Sequence, residues 1–186
     1  EFYQDSNNLE NFNFTNSNQT ILKSKKLSRN ILKNKILFDG NNLVFTDEKG
    51  SIIIYSVKDK KITLKYNFYK KKFKKIKKVL NISVNNNNLY VGDNLGYLYS
   101  LNYLTGELIW AKNYKVPFRS NIKVLNEKII ITDINNVLYF IDKSNGEKLK
   151  TIPSEIVKVK NNFINSLAVY NETVFFLNTY GSLYSI

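Results

Sequence analysis

The chain has 186 residues, 43% hydrophobic and 14% aromatic, which allows one domain with a hydrophobic core but not two domains of ordinary size. It contains no cysteine, histidine or methionine, which excludes thiol nucleophiles, disulfides, imidazole bases and almost every zinc or copper site. The net charge of +13 comes almost wholly from lysine, with only Arg29 and Arg119 as arginine, and this lysine-rich, asparagine-rich composition is typical of an AT-rich genome and argues against nucleic acid as a partner.

The first 31 residues are rich in asparagine and show little apolar periodicity. They are predicted to form a flexible lead-in, in which residues 20–32 could supply one additional outer strand. Because the sequence lacks methionine, Glu1 is expected to follow a processing site or further upstream sequence. No apolar stretch reaches the roughly 18 residues that a helical membrane span needs.

A repeated unit follows the lead-in. Four segments align without gaps, each reading as a strand, a tight turn and a second strand; they are residues 42–53, 88–99, 128–139 and 173–184. Each turn begins with an aspartate or asparagine that can cap it, and these lie 46, 40 and 45 residues apart: Asp47, Asp93, Asp133 and Asn178. Three residues later each turn has a residue suited to positive φ: Gly50, Gly96, Asn136 and Gly181.

Two more predicted strands complete each unit. One precedes it, at residues 35–38, 79–84, 121–125 and 166–170, and a third strand such as residues 107–112 follows the Thr105-Gly106 turn. Four short strands repeated every 40 to 46 residues are typical of blades in an all-β propeller of four-stranded antiparallel sheets. A β-sandwich is the alternative, but it does not require the same turn four times.

The predicted blades span approximately residues 32–78, 79–118, 119–160 and 161–186. The fourth ends after its third strand, so the chain is expected to form about half of a ring. Residues 182–186 would then be an edge with unpaired backbone groups, which a second chain could complete.

The second repeat carries a family resemblance. Residues 96–110, GYLYSLNYLTGELIW, resemble the quinoprotein-type, PQQ-like propeller repeat, and residues 116–120 and 135–142 are similar to the alphaproteobacterial BamB family of outer-membrane assembly proteins. That resemblance implies a periplasmic, eight-bladed ring, peripheral to the outer membrane of a Gram-negative bacterium. Such a ring has no catalytic activity and binds the soluble domains of the barrel-assembly outer-membrane protein. The family's lipid-anchoring cysteine has no counterpart in this chain.

The resemblance and the residue types together predict a partner-binding loop at residues 116–120. Pro117 would stiffen the loop, Phe118 would offer an apolar anchor, and Arg119 would offer a forked donor for a carboxylate. In the alternative interpretation Phe118 packs beneath the blade and Arg119 pairs with an acid such as Asp133 or Glu107.

Neither a cofactor nor a small-molecule substrate is expected. Trp110 could stack under a quinone, but in this repeat class the residue packs between blades. Asp47, Asp93 and Asp133 could suggest metal binding, but carboxylates spread over separate blades do not converge on one ion, so turn capping is favoured. Quinone-dependent alcohol dehydrogenases share the repeat, but they need a closed ring, a central calcium and usually a cysteine pair.

The densest charge block is the last candidate site. Its lysines could form an anion-binding edge for an acidic protein, an anionic polymer or a membrane surface. Binding of an anionic polymer or a membrane through this edge is the alternative function of the chain. The lysines are Lys70, Lys71, Lys72, Lys74, Lys75, Lys77 and Lys78. The other interpretation is a solvated loop between two blades.

Overall fold

The structure is a computed structural model that describes residues 26–39, 41–69, 73, 75–156 and 164–186. These residues belong to two compact units, one within residues 2–77 and the other over residues 78–186. Within each sheet, every strand pairs antiparallel with its neighbours in chain order. No helix in the described residues is long and apolar enough to cross a membrane.

The first unit contains one four-stranded sheet, the first blade. Its strands are β1 (Leu32–Phe38), β2 (Asn42–Asp47), β3 (Ile52–Ser56) and β4 (Lys61–Tyr66). Residues 1–25 of the predicted lead-in lie outside the described residues. The last part of the lead-in is bound to the first blade, because the side chains of Ser28 and Asn30 both donate hydrogen bonds to Oδ2 of Asp47 at 3.0 Å.

The second unit contains three sheets. The second blade is formed by β5 (Leu80–Asn85), β6 (Asn88–Asp93), β7 (Tyr97–Asn102) and β8 (Leu108–Asn113). The third is formed by β9 (Lys123–Leu125), β10 (Lys128–Thr132), β11 (Val137–Asp142) and β12 (Lys148–Pro153). The fourth has three strands, β13 (Ser166–Tyr170), β14 (Thr173–Leu177) and β15 (Leu183–Ser185). Within the described residues β15 pairs only with β14.

The turn between the second and third strands has the same hydrogen bonds in all four blades. One side-chain oxygen of the first turn residue accepts the backbone N–H groups two and four residues later, at 2.8–3.0 Å; the acceptors are Asp47, Asp93, Asp133 and Asn178. The residue three positions after the capping residue has φ between 61° and 87° in every blade. The turn-capping interpretation of these residues is confirmed.

Alternating side chains along the strands place a hydrophobic layer between neighbouring blades of the second unit. The layer between the second and third blades includes Tyr90, Leu98 and Trp110 on one side and Ile129 and Ile131 on the other. The layer between the third and fourth blades joins Ile130 and Leu138 to Leu167, Val174 and Phe176. All ten residues have 9% or less of their surface exposed, so these layers contribute to the burial that stabilises the unit.

Candidate partner-binding loop

Residues 116–120 connect the second blade to the third and are held by backbone hydrogen bonds to both. The N–H of Phe118 donates to the carbonyl of Asp93 in the second blade at 3.2 Å. The N–H of Arg119 donates to Thr132, and the carbonyl of Pro117 accepts from Ile134, at 2.9 and 3.0 Å in the third blade. The loop backbone is therefore fixed before any partner arrives.

Phe118 is not presented at the surface. Only 4% of the residue is exposed, and its ring lies edge-on to those of Tyr114 and Tyr139, with centroids 5.4 and 6.0 Å away. The structure therefore corrects the prediction of an exposed apolar anchor: because Phe118 forms a bridge with Asp133 in the next blade, its side chain points into the layer between the blades. Its role is to support the loop, as in the alternative interpretation.

Pro117 and Arg119 lie on either side of Phe118 and are partly exposed. Arg119 also has an interaction within the chain. Its assignment as a partner contact remains a prediction, and with Phe118 buried the predicted contact rests on Arg119 and the stiffened backbone around it.

Two tyrosines that the sequence analysis did not single out fix the floor of this loop. The hydroxyl of Tyr139 donates to Oδ2 of Asp133 at 2.9 Å, and that of Tyr114 donates to the carbonyl of Gly146 at 2.7 Å. Burial raises the pKa of both phenols, with the Asp133 carboxylate adding to the effect at Tyr139 and Glu147 adding to it at Tyr114. A tyrosine six residues after the turn cap recurs at Tyr99 and Tyr184, which is the signal that could have identified Tyr139.

These raised pKa values predict a loss of stability in alkali. Unfolded tyrosine ionises near pH 10, whereas both phenols stay protonated in the folded chain. Their contribution is complete below about pH 10 and is lost as the pH rises above that value. We expect the urea midpoint to fall between about pH 9 and pH 11. A Tyr114→Phe/Tyr139→Phe variant, less stable at neutral pH, should show a smaller fall over that range; an equal fall would contradict the assignment.

Trp110 packs between the second and third blades, which confirms the structural interpretation. Its Nε1 donates to the carbonyl of Lys143 at 3.0 Å. The ring also covers Gly146, where a Cβ atom would lie 2.7 Å from two ring carbons. Gly146 has a φ of 73°, so both its backbone conformation and its position under the indole require glycine.

The lysine run is only partly described, since Lys70, Lys71, Lys72 and Lys74 lie outside the described residues. Lys75 and Lys77 are exposed, and the ammonium group of Lys77 lies 3.6 Å from the Glu48 carboxylate. Lys78 has 1% of its surface exposed and an interaction within the chain. The prediction that Lys78 contributes to an exposed anion-binding edge is therefore corrected: a buried ammonium group cannot meet a phosphate or lipid surface.

Repeated antiparallel sheets of three or four strands, each with the same capped turn between its second and third strands, define a β-propeller repeat protein. A family model described as outer membrane protein assembly factor BamB matches residues 69–186. Because this match covers well over half of the sequence, the chain belongs to the BamB family of PQQ-like propeller proteins. The sequence has no significant match among curated proteins.

Solved structures with the same fold confirm the predicted class of four-stranded propeller blades. The chain is similar to the computationally designed Ika4 protein, with a TM-score of 0.71 and 10% identity over 91% of this chain and 98% of that one. It is similar to BamB from Moraxella catarrhalis, with a TM-score of 0.69 and 14% identity over 82% of this chain and 44% of that one. It is also similar to the computationally designed Ika8 protein, with a TM-score of 0.66 and 11% identity over 81% of this chain and 44% of that one. The chain thus spans less than half the length of that BamB chain.

Proposed function

We propose that this chain is a non-catalytic propeller scaffold in outer-membrane protein assembly. In this proposal it acts in the periplasm, peripheral to the outer membrane, and binds the soluble domains of the outer-membrane barrel-assembly protein. The observation that carries the proposal is the family match over residues 69–186, described as an outer membrane protein assembly factor. The structural similarity to BamB from Moraxella catarrhalis agrees with this match at the level of the fold.

The contact that we propose is the loop of residues 116–120, centred on Arg119. Three backbone hydrogen bonds and the buried Phe118 ring hold this loop between two blades. A preformed loop loses little conformational entropy on binding, so more of the contact energy appears as affinity. Arginine is among the residue types that dominate interface energies, because its planar guanidinium can donate two parallel hydrogen bonds to a carboxylate.

The test of the site compares Arg119→Ala with the parent chain in binding to the barrel-assembly protein's soluble domains, measured by calorimetry. Removing a central interface arginine commonly costs about 2 kcal/mol, so we expect roughly thirtyfold weaker binding. Arg119→Lys keeps the charge but not the fork and should recover only part of the affinity.

Arg29→Ala is the matched control, because Arg29 is the other arginine of the chain and is exposed. It should bind like the parent. If Arg119→Ala folds with unchanged stability and also binds like the parent, Arg119 is not the contact. If the parent itself does not bind these domains, the proposed function is wrong, whatever the loop does.

A further inference from the structure

The turn between β11 and β12 in the third blade contains an asparagine followed by a glycine. Asn145-Gly146 is the only such pair in the sequence. Asparagine is among the chemically labile residues, and it loses its side-chain ammonia most readily before glycine, because glycine has no Cβ atom to hinder its backbone nitrogen. Asn145 is exposed to solvent. This turn is therefore a place where the chain can be modified without an enzyme.

The reaction needs only water. The backbone nitrogen of Gly146 attacks the side-chain carbonyl carbon of Asn145, so a new C–N bond forms and the C–N bond of the side-chain amide breaks. The proton of the Gly146 N–H leaves with the amide nitrogen as ammonia, and a succinimide ring remains. Water then opens the ring at either carbonyl carbon and gives aspartate or isoaspartate. The first step requires the nitrogen to approach the carbon to within roughly 3.5 Å in the right direction.

The folded turn holds both reacting groups in other contacts. The N–H of Gly146 donates to the carbonyl of Asp142 at 2.9 Å, and the nitrogen has to give up this hydrogen bond before it attacks. The side-chain oxygen of Asn145 accepts the N–H of Glu147 at 2.8 Å, which fixes the direction of the amide. Gly146 is buried and has a φ of 73°. The turn must therefore open before the reaction can start.

Two aromatic residues, one on β8 and one directly after it, keep this turn closed. The Trp110 ring lies over Gly146, where a Cβ atom would be 2.7 Å from two ring carbons. The Nε1 of Trp110 donates to the carbonyl of Lys143 at 3.0 Å. The hydroxyl of Tyr114 donates to the carbonyl of Gly146 at 2.7 Å. Opening the turn therefore means separating it from both aromatic side chains.

We propose that Asn145 is a site of spontaneous deamidation, and that the rate is set by how often its turn leaves the second blade. The free energy of a local opening depends on the contacts that must break. Here these are the contacts of Trp110 and Tyr114 with the turn, so the two aromatic residues protect Asn145 chemically as well as holding the blades together. The inference does not depend on the proposed barrel-assembly partner.

Both products of the reaction weaken the contact that protected the site. Isoaspartate adds one carbon atom to the backbone directly before Gly146, so the tight turn under the Trp110 ring can no longer form as it does here. Aspartate keeps the backbone length but places a new carboxylate beside Glu147, which pairs with Lys112 of the second blade. A transient opening of the turn is thus converted into a lasting loosening between the second and third blades.

The test follows deamidation of the intact chain at neutral pH, by mass spectrometry of the tryptic peptide that contains Asn145. We expect the folded chain to react at least about tenfold more slowly than the chain unfolded in urea. Trp110→Phe and Tyr114→Phe should each raise the rate in the folded chain, and Trp110→Ala should raise it most. Asn145→Thr, which copies Thr105 in the corresponding turn of the second blade, should remove the signal.

Leu138→Ala is the matched control for overall stability. Leu138 is 0% exposed and packs between the third and fourth blades, at the opposite end of β11 from the turn. Urea brings Leu138→Ala and Trp110→Phe to the same free energy of unfolding, and circular dichroism checks that both remain folded. Trp110→Phe should then react faster.

Two results overturn the proposal. Equal rates in Leu138→Ala and Trp110→Phe at matched stability would mean that the reaction waits for the whole unit to unfold. A folded parent chain that reacts as fast as the chain in urea would mean that the second blade does not protect Asn145. If Trp110→Phe does not fold, Tyr114→Phe takes its place in the same comparison, because it removes only the hydroxyl that binds Gly146.

Discussion

Replacing Trp110 with alanine should lower the free energy of unfolding by about 3–5 kcal/mol, the usual cost of removing a buried tryptophan side chain. Trp110 is 9% exposed and packs between the second and third blades, so its loss leaves a cavity in the hydrophobic layer between them. The backbone of Gly146 cannot close that cavity easily, because its turn conformation is fixed by a hydrogen bond to Asp142 at 2.9 Å. Urea denaturation followed by far-UV circular dichroism measures the change.

Two further variants separate packing from hydrogen bonding at Trp110. Trp110→Phe keeps an aromatic ring over Gly146 but loses the 3.0 Å hydrogen bond to Lys143, and it should cost less than the alanine variant. Leu149→Ala, at an exposed position, should change stability by less than about 0.5 kcal/mol. A Trp110→Ala chain as stable as the Leu149→Ala chain would show that the indole does not hold these blades together.

The repeat made most of the fold predictable. Strand β13 spans the residues expected from the sequence, 166–170, and β8 begins one residue later than expected, at Leu108. This accuracy has a physical origin: a capped turn with a positive-φ residue fixes the register of both strands that leave it. Strand β9 is shorter than expected, since residues 121 and 122 belong to the loop from the second blade. The side chain of Asn121 instead forms two hydrogen bonds with the backbone of Leu167 in the fourth blade.

The candidate site was less predictable than the fold, because its side chains are placed by contacts between residues far apart in sequence. Aromatic residues are among those that dominate interface energies, which favoured Phe118 as an exposed anchor. The bridge from Phe118 to Asp133 turns this ring inward, and no local pattern reports it. Because Lys78 follows a run of lysines, the sequence predicts that it is exposed like them. It lies instead at the start of the second unit and is buried.

The turn caps also explain how the repeat tolerates substitution. Three blades use aspartate and the fourth uses Asn178, yet the same two backbone N–H groups are bound in each. Only one side-chain oxygen is needed for this, and aspartate and asparagine both have it. The second carboxylate oxygen of an aspartate can accept a further hydrogen bond. At Asp133 this oxygen accepts a hydrogen bond from the hydroxyl of Tyr139.

Asp133→Ala should therefore lower the free energy of unfolding strongly, whereas Asp133→Asn should change it little. Alanine leaves the N–H groups of Asn135 and Val137 and the Tyr139 hydroxyl without their acceptor at a position only 1% exposed. An unsatisfied buried group costs about 1–3 kcal/mol, so we expect a loss of about 3 kcal/mol in total, since the turn can relax toward water. Asparagine keeps both backbone hydrogen bonds, as Asn178 does, and its amide can donate to the Tyr139 oxygen, so the loss should stay below about 1 kcal/mol. Thermal and urea unfolding of the two variants, measured side by side, gives the comparison. Equal losses of unfolding free energy would mean that this position requires the second carboxylate oxygen rather than the turn cap.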